Sequence, residues 1–240
     1  MPQLNINEIR SLKYARQYFH DCYLVSSLHA LAQSSNGVKV LQKNITRDGT
    51  NYNIQFDGLG KKFSVSQDEF NKLDFVDRYC NPKPPKEPYN PILQAIEIAM
   101  GKLISAYPSK KAITCRLAKC MEKFEYNYPS NFLELFTNKK PRTINEQSIS
   151  MKLASKKDQA MDLFEKLDKS PSGNSFVVGT GIKLFSKLPD CHVFVLKKVD
   201  LKNDRIYILD NREKKLITLS VKDALNNLKF ITGYFNKDLK

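Results

Sequence analysis

The sequence predicts an α+β protein, helix-rich in its first half and strand-rich in its second. Three observations carry this reading. Up to about residue 137 the apolar residues recur mostly at helical spacing. Beyond about residue 175 they fall into short runs of strand length. Between the two, Thr137-Asn138-Lys139-Lys140-Pro141 breaks the pattern. A boundary there divides the chain into residues 1–138 and 139–240, read as two lobes of one unit.

The first strong helix starts at Asp21, with Leu24, Val25, Leu28, Leu31 and Ala32 on one stripe, and Ser34-Ser35-Asn36-Gly37 as its stop. Tyr52 to Phe56 and Lys62 to Val65 read as strands joined through Asp57-Gly58-Leu59-Gly60. Ser66 and Glu69 have capping-box spacing for a short helix to about Lys72. Cys80 to Tyr89 holds four prolines and reads as an extended connector. Asn90-Pro91 opens the next helix, since asparagine caps well and proline suits the first helical position; its stripe is Ile92, Ala95, Ile96, Ala99, Met100 and Leu103. Further helices are expected over residues 112–123, 130–137 and 155–167. Strands follow at 175–179, 182–185, 192–199, 205–209, 216–219 and 229–235, interrupted by a short helix at 221–228.

Composition narrows the function. The chain carries a formal charge of +14, yet lysine outnumbers arginine 31 to 8 and the basic residues are spread along its length. Nucleic-acid recognition leans on arginine and on clustered basic stripes, so no specific nucleic-acid partner is expected. No stretch approaches the roughly 18 to 20 consecutive apolar residues of a membrane span. The start, MPQLNINEIRSLKY, is too polar for the core of a signal peptide. Five cysteines, an odd number in a chain too large to need staples, point to free thiols and a cytoplasmic protein.

Cys22 is the candidate nucleophile. It stands in the first turn of a helix, where the positive end of the backbone dipole favours a thiolate. Its own N–H and the side chain of Gln17 upstream are donors for an oxyanion. Only three histidines exist to serve as base. His20 is two residues away with no free segment to fold back. His29 lies about 10 Å further along the same helix at 1.5 Å per residue. His192 opens a strand whose hairpin partner ends at Asp210 and Asn211, so either polar side chain is placed to hold its ring.

Taken together, these segments resemble the calpain family of papain-like cysteine proteases. Asp21-Cys22-Tyr23-Leu24 before an Ala/Leu-rich helix is similar to that family's Asp-Cys-Trp/Tyr-Leu-Leu. Asn90-Pro91 to Leu103 resembles its Trp-Pro-x-Leu-Leu-Glu helix. Cys191-His192-Val193-Phe194 resembles its Gly-His-Ala-Tyr strand, and Arg205 to Asp210 the strand that ends in its catalytic asparagine. Val221 to Phe235 is similar to its closing helix and strand. The resemblance implies a two-lobed papain-like fold with an active-site cleft between the lobes. It implies a cysteine endopeptidase acting on protein or peptide substrates without a cofactor, with Cys22 as nucleophile and His192 as base. The family's oxyanion glutamine falls at Arg16, one residue before Gln17. Asp210 stands in place of asparagine, and Asn211-Arg212 in place of Pro-Trp. An aspartate is found in transglutaminase-type triads, so acyl transfer or deamidation on the same residues is the alternative, and an inactive protein-binding module a third.

Other motifs carry no chemistry. Cys115 and Cys120 sit about 140° apart on a helix and make poor joint metal ligands. Gly179-Thr180-Gly181 lacks the spacing of a phosphate loop and reads as a tight turn. Asp57, Asp68, Asp74 and Asp77 do not fit a calcium loop. No metal site is expected.

Overall fold

A computed structural model describes residues 3–17, 21–72, 89–106, 129–144, 154–170, 173–181, 188–189 and 191–239. The expected helix at 112–123, the strand at 182–185 and nearly all of the proline-rich connector lie outside them. So do His20, Cys80, Cys115, Cys120, Asp74 and Asp77.

The chain opens with a helix not expected from the sequence, α1 (Ile6–Ser11). Asn5 and Glu8 close a reciprocal capping box on it, but one turn is too short to show a period. Helix α2 (Cys22–Gln33) follows. The stop expected at Ser34 is in fact a corner, because Ser34 ends α2 and its Oγ caps α3 (Ser35–Asn44) by accepting from Gly37 N at 2.8 Å. Only glycine fits there: a Cβ on Gly37 would lie 2.2 Å from the Leu31 carbonyl oxygen. Strand β1 (Ile45–Asp48), also not expected, pairs with β2 (Asn51–Phe56), which pairs with β3 (Lys61–Val65) in an antiparallel three-stranded sheet.

Residues 67–72 form α4. Of the expected capping box, one half is seen among the described residues: Glu69 Oε2 accepts from Ser66 N at 2.9 Å, and the Ser66 hydroxyl also donates to it. Asn90 Oδ1 caps α5 (Pro91–Ala106) by accepting from Ile92 N and Leu93 N. Helix α6 (Pro129–Thr137) completes this half.

The second half is an antiparallel six-stranded sheet. It comprises β4 (Arg142–Ile144), β5 (Ser175–Thr180), β6 (Val193–Asp200), β7 (Arg205–Asp210), β8 (Lys215–Leu219) and β9 (Leu228–Tyr234), in the order β4-β9-β5-β6-β7-β8. Helices α7 (Ala154–Lys169) and α8 (Val221–Asn227) accompany it. Alternation along the strands divides the core in two. Val177, Val193 and Val195 join the cluster built by α1–α3, α5, α6 and the small sheet. Phe176, Val178, Phe194, Leu196, Ile206 and Ile208 join α7 and α8 on the opposite face. Helix α2 packs against β5 and β6 on the first face.

The architecture is α+β with antiparallel sheets. The expected tight turn at Gly179 is corrected: β5 runs through Thr180, and the Phe230 ring lies against Gly179 so closely that a Cβ there would sit 2.1 Å from it. Among the described residues no helix is long and apolar enough to cross a membrane.

Candidate active site

Helix α2 places Cys22 at its first position, and the sheet places His192 just before β6. The residue between the helix and the histidine is Val193. A backbone hydrogen bond from Val193 reaches the Cys22 sulfur, and Ser26, one turn further along α2, donates its hydroxyl to Val193 O at 2.9 Å. A single turn of α2 is thus fastened to the peptide groups that follow His192.

His192 is 7% exposed and Asp210 3%. His192 Nε2 lies 3.0 Å from Asp210 Oδ1. The same oxygen accepts from Arg212 N at 2.9 Å and Glu213 N at 3.3 Å. Burial pushes the Asp210 carboxyl up, but the His192 bond, the histidine's charge and the two backbone donors outweigh it and hold the group below its ordinary value. The ring is also held edge-on against Phe194, with centroids 4.7 Å apart. With Nε2 engaged by Asp210, Nδ1 is the nitrogen left to exchange a proton.

Asn211 faces the other way. Its Nδ2 donates to Ser26 Oγ at 3.2 Å, and its carbonyl accepts from Gln17 N at 3.2 Å. The segment before α2 is tied down once more by Arg16 Nε donating to Arg212 O at 3.0 Å. Gln17 is therefore brought to Asn211 at the end of β7.

At Cys22, burial works against the pull of the helix end. Cys22 is only 5% exposed, and burial pushes its thiol up to about 12. Backbone hydrogen bonds from Val193 and Tyr23 pull it down, while the charges of Asp21 and Asp210 push it up. Desolvation wins, so this geometry holds a neutral thiol.

Three contributors were not legible in the sequence. Thr180 Oγ1 accepts from His192 N at 3.1 Å and donates to Pro189 O at 2.6 Å, fixing the backbone from which the imidazole projects. Cys191 has a left-handed φ of 49°, so the turn into His192 is made at a strained residue where the resembling family writes glycine. His29 is buried and takes a hydrogen bond from Lys197 Nζ at Nε2, 3.3 Å away. Burial and the Lys197 charge press it down to about 3, so it is a neutral prop. A cleft of about 370 Å³ opens beside it, lined by Lys13, Tyr14, His29, Lys197, Asn211 and Lys214.

Among the described residues no group of three His, Cys, Asp or Glu side chains is placed to hold a metal ion. Compared with the models of known protein families and with curated proteins, the chain matches none.

Proposed function

We propose that this chain is a papain-like cysteine endopeptidase of the calpain type, with Cys22 as nucleophile, His192 as general base and Asp210 orienting the imidazole. The observation that carries the reading is the buried His192–Asp210 bond at 3.0 Å beside the strand residue that hydrogen-bonds Cys22. The order of parts supports the papain-like fold: a cysteine at a helix N-terminus, followed by an antiparallel sheet bearing histidine and its carboxylate.

Because the thiol is neutral, its proton leaves as the sulfur attacks. His192 Nδ1 takes that proton while the S–C bond forms to the peptide carbonyl. The oxyanion is met by the Cys22 N–H and the Gln17 side chain. The imidazolium, held by the Asp210 carboxylate, returns the proton to the leaving amine as the C–N bond breaks. Water, deprotonated by His192, then splits the thioester and releases the carboxylic acid and the free thiol.

The carboxylate at Asp210 favours a second reading, deamidation or acyl transfer at glutamine side chains, in which the same thioester forms and ammonia leaves. Incubation with unfolded protein, followed by mass spectrometry, separates the two. New N-termini that disappear in Cys22→Ala support the endopeptidase. Ammonia release with conversion of glutamine to glutamate supports the alternative. Neither product, with folded protein and a broad substrate set, supports a binding module.

A further inference from the structure

Ser26 and Ser27 are neighbours in α2, and both are fully buried. They use their hydroxyls differently. Ser27 Oγ donates to Tyr23 O at 2.6 Å, the bond back to the preceding turn that serine makes inside a helix. Ser26 has the Cys22 carbonyl in the same relation, yet its Oγ donates to Val193 O at 2.9 Å and accepts from Asn211 Nδ2 at 3.2 Å. A hydroxyl has one proton to give, and here it leaves the helix.

The two groups it joins stand at the open end of a hairpin. The β6–β7 ladder has Val195 opposite Leu209 as its last pair toward this end. Continued by two residues on each strand, that register sets Val193 opposite Asn211. His192 O accepts from Thr180 N of β5 at 2.9 Å, so the Val193 carbonyl, one residue on, faces the β7 side instead. The Ser26 hydroxyl stands where the next ladder bond would form. Each proposed catalytic side chain is one step from it. His192 precedes Val193, Asp210 precedes Asn211, and Cys22 lies one turn before Ser26 on the same face of α2.

We propose that Ser26 is a positioning residue: by bridging Val193 and Asn211, its hydroxyl fixes the start of α2 against the hairpin end and so sets Cys22 against His192. The inference rests on the reading of Cys22 as nucleophile and His192 as base, and adds the residue that holds them in register. Asn211 has the lesser part, because without its amide the hydroxyl still reaches Val193. Ser26→Ala removes both ties, takes the donor from the Val193 carbonyl and the acceptor from the Asn211 amide, and leaves the two elements free to shift.

The experiment is site-mapped labelling of Cys22 in the full chain with a peptidyl acyloxymethyl ketone over a range of probe concentrations. The folded fraction of each variant is taken from circular dichroism. Ser26→Ala should lower the maximal labelling rate per folded molecule by about ten- to a hundredfold, the range a displacement of about 1 Å commands. The half-saturating concentration should hold, since a fully buried hydroxyl meets no probe. Ser27→Ala, which loses only a bond within the helix, should label like the parent. In His192→Ala, adding Ser26→Ala should slow labelling no further, because the placement it serves is already gone. An unchanged maximal rate in Ser26→Ala, or the same slowing with and without His192, overturns the proposal and leaves the triad standing. If Ser26→Ala does not fold, Ser26→Cys, close in shape but with a weak S–H donor, decides by the same readings. Labelling of Cys22 that His192→Ala does not slow refutes the endopeptidase reading, and the positioning role with it.

Discussion

Asp210 Oδ1 meets His192 Nε2 at 3.0 Å, while its neighbour Asn211 sends Nδ2 to Ser26 Oγ at 3.2 Å. One strand end thus splits its work between two faces, because successive side chains point to opposite sides. Asp210 holds the ring and Asn211 holds the helix that carries Cys22.

Replacement of Asp210 separates charge from hydrogen bonding. Asp210→Asn keeps an acceptor for His192 and for the two backbone donors, so the fold should survive while Cys22 turnover falls. Asp210→Ala strips the acceptor from three N–H groups and should cost about 1–3 kcal/mol in urea denaturation at pH 7. The carboxyl is depressed in the folded state, so its stabilisation is complete above the ordinary value of 3.8 and drains away as the pH falls below it. Asp210→Asn should remove that part of the acid sensitivity.

Asn211→Ala should act on stability more than on chemistry. Ser26 keeps its bond to Val193 O, so the loss is the amide's contacts with Ser26 and His29, about 1–2 kcal/mol. Turnover per folded molecule should change much less than in Asp210→Asn. A larger loss of turnover in Asn211→Ala would make Asn211 the orienting residue.

His29 should remain neutral throughout the physiological range. Its folded value of about 3 lies below the ordinary 6.5, so its contribution to stability is present above 6.5 and lost as the pH falls through the interval. NMR of the ring should show no titration between pH 8 and 5. Lys197→Met removes one of the three depressing influences and should move the titration up, but not to 6.5, because burial is the largest and the Lys13 charge remains.

Cys191→Gly should relieve the left-handed backbone before His192. That conformation costs a non-glycine residue roughly 1–2 kcal/mol, partly offset by the extra freedom of glycine when unfolded. A rise in the urea midpoint is expected, with Cys22 chemistry retained.

The sequence made some of this legible and hid the rest for physical reasons. The alternation of Asp210 and Asn211, and the hairpin that returns them to His192, follow from period-two patterning. Helix α3 was hidden because serine, asparagine and glycine signal a helix end and a helix start alike, and Ser34 does both. The helix position of Cys22 was readable, but its neutral thiol was not, since desolvation depends on residues far along the chain. Thr180 was masked by the two glycines beside it, of which Gly179 serves the packing of Phe230 rather than a turn.

The most direct test of the active-site account is site-mapped labelling with a peptidyl acyloxymethyl ketone, an electrophile that mimics a bound peptide. The account predicts a single adduct on Cys22, slowed by about a hundredfold or more in His192→Ala, the range general-base assistance commands. Adducts shared with Cys191 and the remaining cysteines, or Cys22 labelling equally fast without His192, would contradict it.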